Sequence, residues 1–337
     1  MAERKLNYNI QYLRGICALV VFFSHSLNIY KIEWVQQLMP TPFHFFFDGQ
    51  WAVIFFFTLS GFYYYKEERF DVNKYLRGLA KKALKIYPPH LLSLVTGWSV
   101  LSIYLKYGVQ SDSAKLTSWA SSFWRDYVGL KEFLGNAVVL MPHNPDSINP
   151  PSWYLGPEVK MFIIMPLIVA LSNYSKLVIG VLLFVASWFV KFPIVSCVGP
   201  FVAGYLLHAV LKRCGAVRVN GLLAIFIMLA GICFLNCKNI VKSMLLDSSQ
   251  VYFMMIQAMG AICLIFLANV LCFRGRFRVL LFMGNISYEF YIIHFIVLML
   301  LAPWIAQPYT FALVCLVLTI LLAYCVNRLD KKILLSI

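Results

Sequence analysis

Two ionisable residues in the first apolar segment have a spacing that suits chemistry. Arg14 and His25 lie eleven residues apart, and His25 falls within the apolar run Ile10–Ile29. On an α-helix they share one face to within about 20° and lie about 16 Å apart along the axis. The imidazole suits a general base, and the guanidinium suits an anionic ligand. The structural alternative is a neutral histidine bonded inside a helix bundle and an arginine that reaches the interface.

A basic segment that begins at Arg77 carries Lys81, Lys82 and Lys85 before Pro88. Lys82 and Lys85 lie three residues apart, so they face the same way on a helix. Ammonium groups bind phosphate as point charges, which favours an anionic ligand for these two lysines. The simpler interpretation is a topological signal or attraction to anionic lipid, and for Lys81 the two interpretations are balanced.

Two carboxylates stand at the start of apolar runs. Asp48 precedes the second run, where it can accept a hydrogen bond from a hydroxyl group. Glu158 opens the fourth run and can orient an imidazole or accept from a hydroxyl. An ion pair with Lys160, or a favourable charge at a helix N-terminus, explains Glu158 equally simply.

A polar stripe marks the ninth apolar run. Ser287, Tyr291 and His294 recur at positions i, i+4 and i+7, which lie on one face of a helix. Lipid would leave these groups without hydrogen bonds, so the stripe must face the protein interior or a wet cavity. A bonded structural stripe and a substrate contact both remain open.

The composition shows what kind of element must position these residues. The chain has 337 residues, 61% of them hydrophobic and only 13% charged, with a mean hydropathy of +0.76. Soluble chains carry about 25% charged residues, so this is a polytopic, all-α membrane protein. Ten spanning helices are predicted, at Ile10–Ile29, Phe43–Tyr65, Ile86–Leu105, Leu155–Leu171, Lys176–Val190, Ile194–Leu211, Leu222–Asn236, Val251–Phe273, Val279–Leu301 and Thr310–Val326.

The charge distribution predicts the orientation of this bundle. Lysine and arginine total 29 against 14 acidic residues, a net charge of +15. If both termini are cytoplasmic, most of the cations fall on the cytoplasmic side, as the positive-inside rule requires. This orientation predicts that the basic segment with Lys82 is a cytoplasmic loop and that Glu158 lies just inside the outer face of the membrane. The excess therefore indicates topology, and no nucleic-acid partner is expected. The stretch Lys106–Ser152 is predicted to be polar, non-helical and on the outer side.

The whole chain, residues 1–337, is predicted to form a single membrane domain with no appended soluble domain. The nine cysteines form no CxxC pair and no zinc spacing, and most lie in apolar runs. We therefore expect neither disulfides nor a metal.

Five motifs in one order resemble the acyltransferase-3 family of membrane O-acyltransferases, over about residues 8–326. The first is arginine, ten residues, then histidine. The others are a run ending FFTLSGF, a basic segment leading to IYP, PSWYLGPEVKMF, and SYEFYIIH. The chain departs from the family in carrying lysine at three basic positions where arginine is usual, which removes the bidentate fork. Ser60 and Gly61, within FFTLSGF, are expected to serve helix packing.

The resemblance implies roles for the polar residues. Catalytic roles fall to His25, Glu158 and Arg14. The acyl donor would be held by Arg14, Lys81, Lys82 and Lys85. The acceptor would be contacted by Asp48, Trp153, Tyr291 and His294.

The resemblance also implies a reaction. An acyl group, acetyl being usual, would pass from acyl-CoA to a hydroxyl of a bacterial envelope or exported glycan, such as O-antigen, capsule or a lipid-linked intermediate. The expected setting is the bacterial inner membrane, among envelope-glycan assembly proteins. His25 acts as general base or is itself acylated, and the sequence does not separate the two. The alternatives are another acyl group such as succinyl, a small-molecule acceptor, or a transporter or flippase.

Overall fold

The computed structural model describes residues 7–64, 71–109, 115–140, 144–169, 193–215, 217–243, 250–271 and 277–335. These residues are mainly helical and include no β-strand, which confirms the all-α prediction for this part of the chain. The helices are α1 (Tyr8–Ile29), α2 (Glu33–Leu38), α3 (Gly49–Tyr64), α4 (Val72–Tyr107), α5 (Leu130–Ala137), α6 (Leu155–Val169), α7 (Pro193–Cys214), α8 (Gly221–Leu235), α9 (Cys237–Ser243), α10 (Gln250–Val270), α11 (Arg278–Asn285), α12 (Ser287–Leu301) and α13 (Pro308–Leu335).

Several described helices have the length and composition of membrane spans. Three qualify on their own: α1, Tyr252–Val270 in α10 and Pro308–Lys332 in α13. A fourth results if α11 and α12 form one broken span, since the chain bends by 77° between them. The apolar helix α8 has 15 residues, fewer than the ~20 a span needs. A count of ten, and the orientation, stay predictions, and the predicted fifth span lies outside the described residues.

Three predicted elements need correction. The second predicted span is not continuous from Phe43, because Pro42–Phe47 is a 3-10 helix and α3 begins only after Asp48. The ninth is not one helix either, because Ile286 adopts φ −102° and ψ 7° between α11 and α12. The outer stretch, predicted to be non-helical, contains α5. A count of apolar residues over a run of about 20 does not reveal these breaks, because the few polar residues at them, such as Asp48 and Asn285, hardly change the average.

The basic segment is a helix, not a loop. It forms the first part of α4, whose 36 residues span about 54 Å. The Asp71 side chain caps α4 by accepting a hydrogen bond from Lys74 N, and Gly108 ends it with a φ of 65°. A criterion based on apolar length stops at charged residues, although lysine and arginine are good helix formers.

The helices group into two compact units. Unit 1 comprises Met1–Cys17, Leu38–Phe70 and Met161–Asn285. Unit 2 comprises Ala18–Gln37, Asp71–Lys160 and Ile286–Ile337.

In unit 1, α3 and α7 pack with their backbones in close contact at two glycines. A Cβ atom at Gly61 would lie 1.8 Å from the Phe201 carbonyl oxygen, and one at Gly204 would lie 1.8 Å from the Thr58 carbonyl oxygen. Any larger side chain would force the helices apart, so only glycine fits at these positions. This contact agrees with the packing role expected for Gly61.

In unit 2, α12 is the central helix and packs against both α4 and α13. Its side chains from Glu289 to Leu298 are all buried, as expected for a helix surrounded by other elements. The predicted polar stripe is part of this buried surface, since Ser287, Tyr291 and His294 are 1%, 6% and 0% exposed. Its prediction as an interior stripe is confirmed.

Candidate active site

Two histidines meet in unit 2 although 269 positions separate them in the chain. His25 Nδ1 on α1 lies 2.6 Å from His294 Nε2 on α12. The ring planes differ by only 6°, and the ring centroids are 4.9 Å apart. Coplanar rings with so short a distance between nitrogens are joined edge to edge, which gives a straight hydrogen bond. His294 is fully buried, whereas His25 is partly exposed.

A backbone carbonyl determines which nitrogens carry protons. His294 Nδ1 lies 2.6 Å from the Tyr291 carbonyl oxygen, which only accepts, so Nδ1 must be protonated. In the neutral ring the other nitrogen, Nε2, then accepts, and His25 Nδ1 is the donor of the bond between the rings. The lone pair of His25 therefore lies on Nε2, which makes no hydrogen bond with any residue in the described part of the chain.

Aromatic side chains surround the histidine pair. Trp119 lies near His25 with almost parallel rings, at a centroid distance of 5.6 Å and an angle of 21°. Phe295 meets the His25 ring edge-on at 5.7 Å. Phe22 and Phe290 pack beside His294, each at 6.4 Å. Such apolar walls strengthen hydrogen bonds inside the site.

The segment that carries Trp119 is fixed to the end of α1. Thr117 donates from its backbone N to the Ile29 carbonyl and from its hydroxyl to the Asn28 carbonyl, at 3.0 and 2.6 Å. Tyr30 forms an antiparallel bridge with Leu116. Since His25 lies only one turn before Ile29, these bonds hold the indole at the imidazole. Nothing in the sequence pattern indicated Trp119.

Two further contacts hold α12 in place beside the pair. The Tyr291 hydroxyl donates to the Pro151 carbonyl at 3.0 Å. Asn149 Nδ2 donates to the Ile292 carbonyl at 2.9 Å and to the Ser93 hydroxyl at 3.1 Å. The Tyr291 hydroxyl is thus already bonded within unit 2, so the acceptor contact implied for Tyr291 by the resemblance remains a proposal.

Glu158 and Lys82 form a partly buried ion pair, also in unit 2. Their Oε1 and Nζ atoms are 2.8 Å apart, and the side chains are 7% and 24% exposed. The partner is Lys82 rather than the neighbouring Lys160. Residues in contact lie at one depth, so the prediction of Lys82 on the cytoplasmic side and Glu158 on the outer side is wrong for at least one of them. The wrong placement arises because Lys82 belongs to the helix α4, where its side chain is partly buried, and not to a loop.

Removal of the carboxylate charge should destabilise unit 2. Glu158→Gln leaves the Lys82 ammonium with a neutral neighbour, at a cost of about 2 kcal/mol, so we expect the Tm in detergent to fall by several degrees. Lys82→Met/Glu158→Gln should recover part of the loss, because the ammonium is removed together with the carboxylate it pairs with. Lys81→Met, at an exposed neighbour on the same helix, is the control. Additive effects of the two substitutions in the double variant would show that the pair does not stabilise the fold.

A second acidic group lies near Lys85. Glu289 and Asp330 are buried, and Asn327 Nδ2 donates to Glu289 Oε1 at 2.8 Å. Lys85 is exposed and close enough to Asp330 to interact electrostatically. Lys85 therefore has an acidic neighbour of its own in unit 2, Asp330.

The remaining predicted site residues lie elsewhere. Arg14 belongs to unit 1, where its Nη1 lies 3.4 Å from Gln11 Oε1. Asp48, also in unit 1, is buried, and its carboxylate accepts from Gln50 N and Asn239 Nδ2. Trp153 is 39% exposed.

In unit 2 the structure thus brings His25 together with His294, and Lys82 together with Glu158. The orienting partner of His25 is His294, not Glu158. No cluster of three or more potential metal ligands occurs among the described residues, and the absence of a metal stays a prediction.

Comparison with known protein families identifies a match over most of the chain. The profile of the acyltransferase-3 family, described as an acyltransferase domain, matches residues 7–328, nearly the whole chain. No curated protein and no solved structure matches significantly.

Proposed function

Because the chain belongs to the acyltransferase-3 family, we propose that it is a membrane O-acyltransferase that moves an acetyl group from acetyl-CoA to a glycan hydroxyl. The acceptor is a cell-envelope or exported glycan, such as O-antigen, capsule or a lipid-linked intermediate. The family supports acyl transfer in general. The observation that carries the proposed mechanism is the His25–His294 bond, which leaves an unprotonated, unpaired Nε2 on a partly exposed imidazole.

His25 acts as the general base. Its Nε2 takes the proton of the acceptor hydroxyl while the oxygen attacks the thioester carbonyl. The new imidazolium keeps its Nδ1–H bond to His294, which in turn donates to the Tyr291 carbonyl. When the C–S bond breaks, the proton moves from Nε2 to the leaving thiolate, so the products are an ester and free CoA.

The donor is held by cations. CoA carries several phosphate charges and does not cross a bilayer, so its site opens to the cytoplasm. We assign donor binding to Arg14, Lys81, Lys82 and Lys85. Lys82 is already paired with Glu158, so this assignment requires the ammonium to share its hydrogen bonds between the carboxylate and a phosphate.

The proposed setting is the bacterial inner membrane, with ten spans and both termini cytoplasmic. The support is the bias of lysine and arginine in the sequence together with the apolar helices. Envelope-glycan assembly proteins are the expected partners.

The test is a direct assay of the purified full-length protein. Acetyl-CoA labelled in the acetyl group is supplied with and without envelope glycan, and free CoA and labelled glycan are measured. We expect glycan-dependent release of CoA with equal transfer of label. Glycan movement across proteoliposomes without any CoA release would identify a transporter instead.

A further inference from the structure

Trp119 is the exposed neighbour of the proposed base. His25 is flanked by His294 and Phe295, both fully buried, and by Trp119, which is 36% exposed. Of these three ring neighbours of His25, Trp119 is the one that an approaching molecule can contact from outside the protein. Phe123 and Phe295 meet the Trp119 ring edge-on at 5.0 and 6.0 Å and hold it in place.

The indole also has an unused hydrogen-bond donor. Five other described tryptophans donate Nε1–H to a protein oxygen: Trp34, Trp51, Trp98, Trp124 and Trp304. Trp119 Nε1–H makes no hydrogen bond within the described part of the chain. A flat apolar ring with a free donor beside a base is suited to a molecule that has both an apolar face and oxygen atoms.

The position of Trp119 indicates which substrate this is. The segment that carries Trp119 follows the C-terminal end of α4, whereas the lysines assigned to the donor lie in its first half. From Lys85 to Tyr107 the helix rises about 33 Å, close to the thickness of a bilayer core. A substrate at the far end of α4 from the lysines is the acceptor rather than the polyanionic donor.

We propose that Trp119 binds the acceptor as a sugar ring, with the C–H face of the ring packed on the indole and an oxygen of the ring accepting from Nε1–H. This inference rests on the proposed function and deepens it. The ring places one neighbouring hydroxyl at His25 Nε2, so Trp119 selects cyclic acceptors over open-chain polyols with the same groups.

The experiment compares two acceptors in the purified full-length protein. Methyl β-D-glucopyranoside offers a rigid ring, and D-glucitol offers similar hydroxyls on a flexible chain. For the unaltered protein we expect a ratio of kcat/KM, ring over chain, of about 10. Trp119→Leu should bring the ratio close to one by raising the KM of the glucopyranoside about tenfold.

Two further variants separate packing from hydrogen bonding. Trp119→Phe keeps a flat ring but removes the donor, so the KM of the glucopyranoside should rise only about threefold. Trp304→Leu removes an exposed tryptophan of the same unit that bonds to Tyr104, and the ratio should stay unchanged.

Several results would overturn the inference. Acceptor selection by Trp119 is excluded if Trp119→Leu lowers kcat/KM equally for both acceptors, or if it raises the KM for acetyl-CoA and leaves the ratio of the two acceptors unchanged. It is also excluded if the unaltered protein shows no preference for the ring. Failure of the proposed function looks different, because the unaltered protein would then release no CoA and acetylate neither acceptor. That outcome would also remove the basis of the inference.

Discussion

Replacement of His25 by alanine is expected to lower kcat for acetyl transfer about 10³-fold, with the protein still folded. The substitution removes the nitrogen that takes the acceptor proton, and a positioned general base contributes on the order of 10²–10⁴ to a rate. The His25 side chain is partly exposed, so its loss leaves a smaller packing defect than the loss of His294 would. The measurement is transfer of labelled acetyl to glycan under saturating acetyl-CoA.

A matched histidine provides the control. His208 in unit 1 also bonds to a carbonyl, with its Nδ1 2.8 Å from the Phe62 carbonyl oxygen. His208→Ala should retain near-normal kcat, as long as its Tm shows that it is folded. Near-normal transfer by folded His25→Ala would exclude the general-base role. If the unaltered protein releases a burst of one CoA per molecule before acceptor is added, and His25→Ala does not, His25 itself is acylated.

The sequence predicted which residues form the site better than it predicted their contacts. The sequence indicates both histidines, His25 as an ionisable group inside an apolar run and His294 as part of a polar stripe on one helix face. Their contact was not predicted, since it joins residues at opposite ends of the chain and depends on how α1 and α12 pack. The resemblance implied an acceptor contact for His294, and the structure places it against His25.

The errors on α4 and Glu158 have one physical origin. A window of apolar residues detects the lipid-facing part of a helix, and it ends where charges begin even if the helix continues. Lys82 was therefore assigned to a loop on one side of the membrane, although its ammonium pairs with Glu158. Trp119 could not be predicted, because its segment is held by bonds to the backbone of Asn28, Ile29 and Tyr30, and backbone groups give no signal in the sequence.

His294 is expected to act on the rate through His25 rather than on substrate binding. In His294→Ala the Nδ1–H of His25 loses its acceptor, and the proton is then free to reside on Nε2, which removes the lone pair that the reaction needs. We expect kcat to fall about 10²-fold with the acceptor KM unchanged, a smaller effect than loss of the base itself.

Glutamine at position 294 separates positioning from packing. The side-chain oxygen of His294→Gln can reach the position of Nε2 and accept from His25 Nδ1–H, so this variant should recover about tenfold of the kcat lost in His294→Ala. His294→Leu fills a similar volume without an acceptor and should stay as slow as alanine. Both variants leave the Tyr291 carbonyl oxygen without its present donor, so both should show a lowered Tm. If glutamine restores kcat and leucine does not, the effect comes from the hydrogen bond that keeps the proton on His25 Nδ1. A raised acceptor KM at normal kcat in all three variants would instead make His294 a substrate contact.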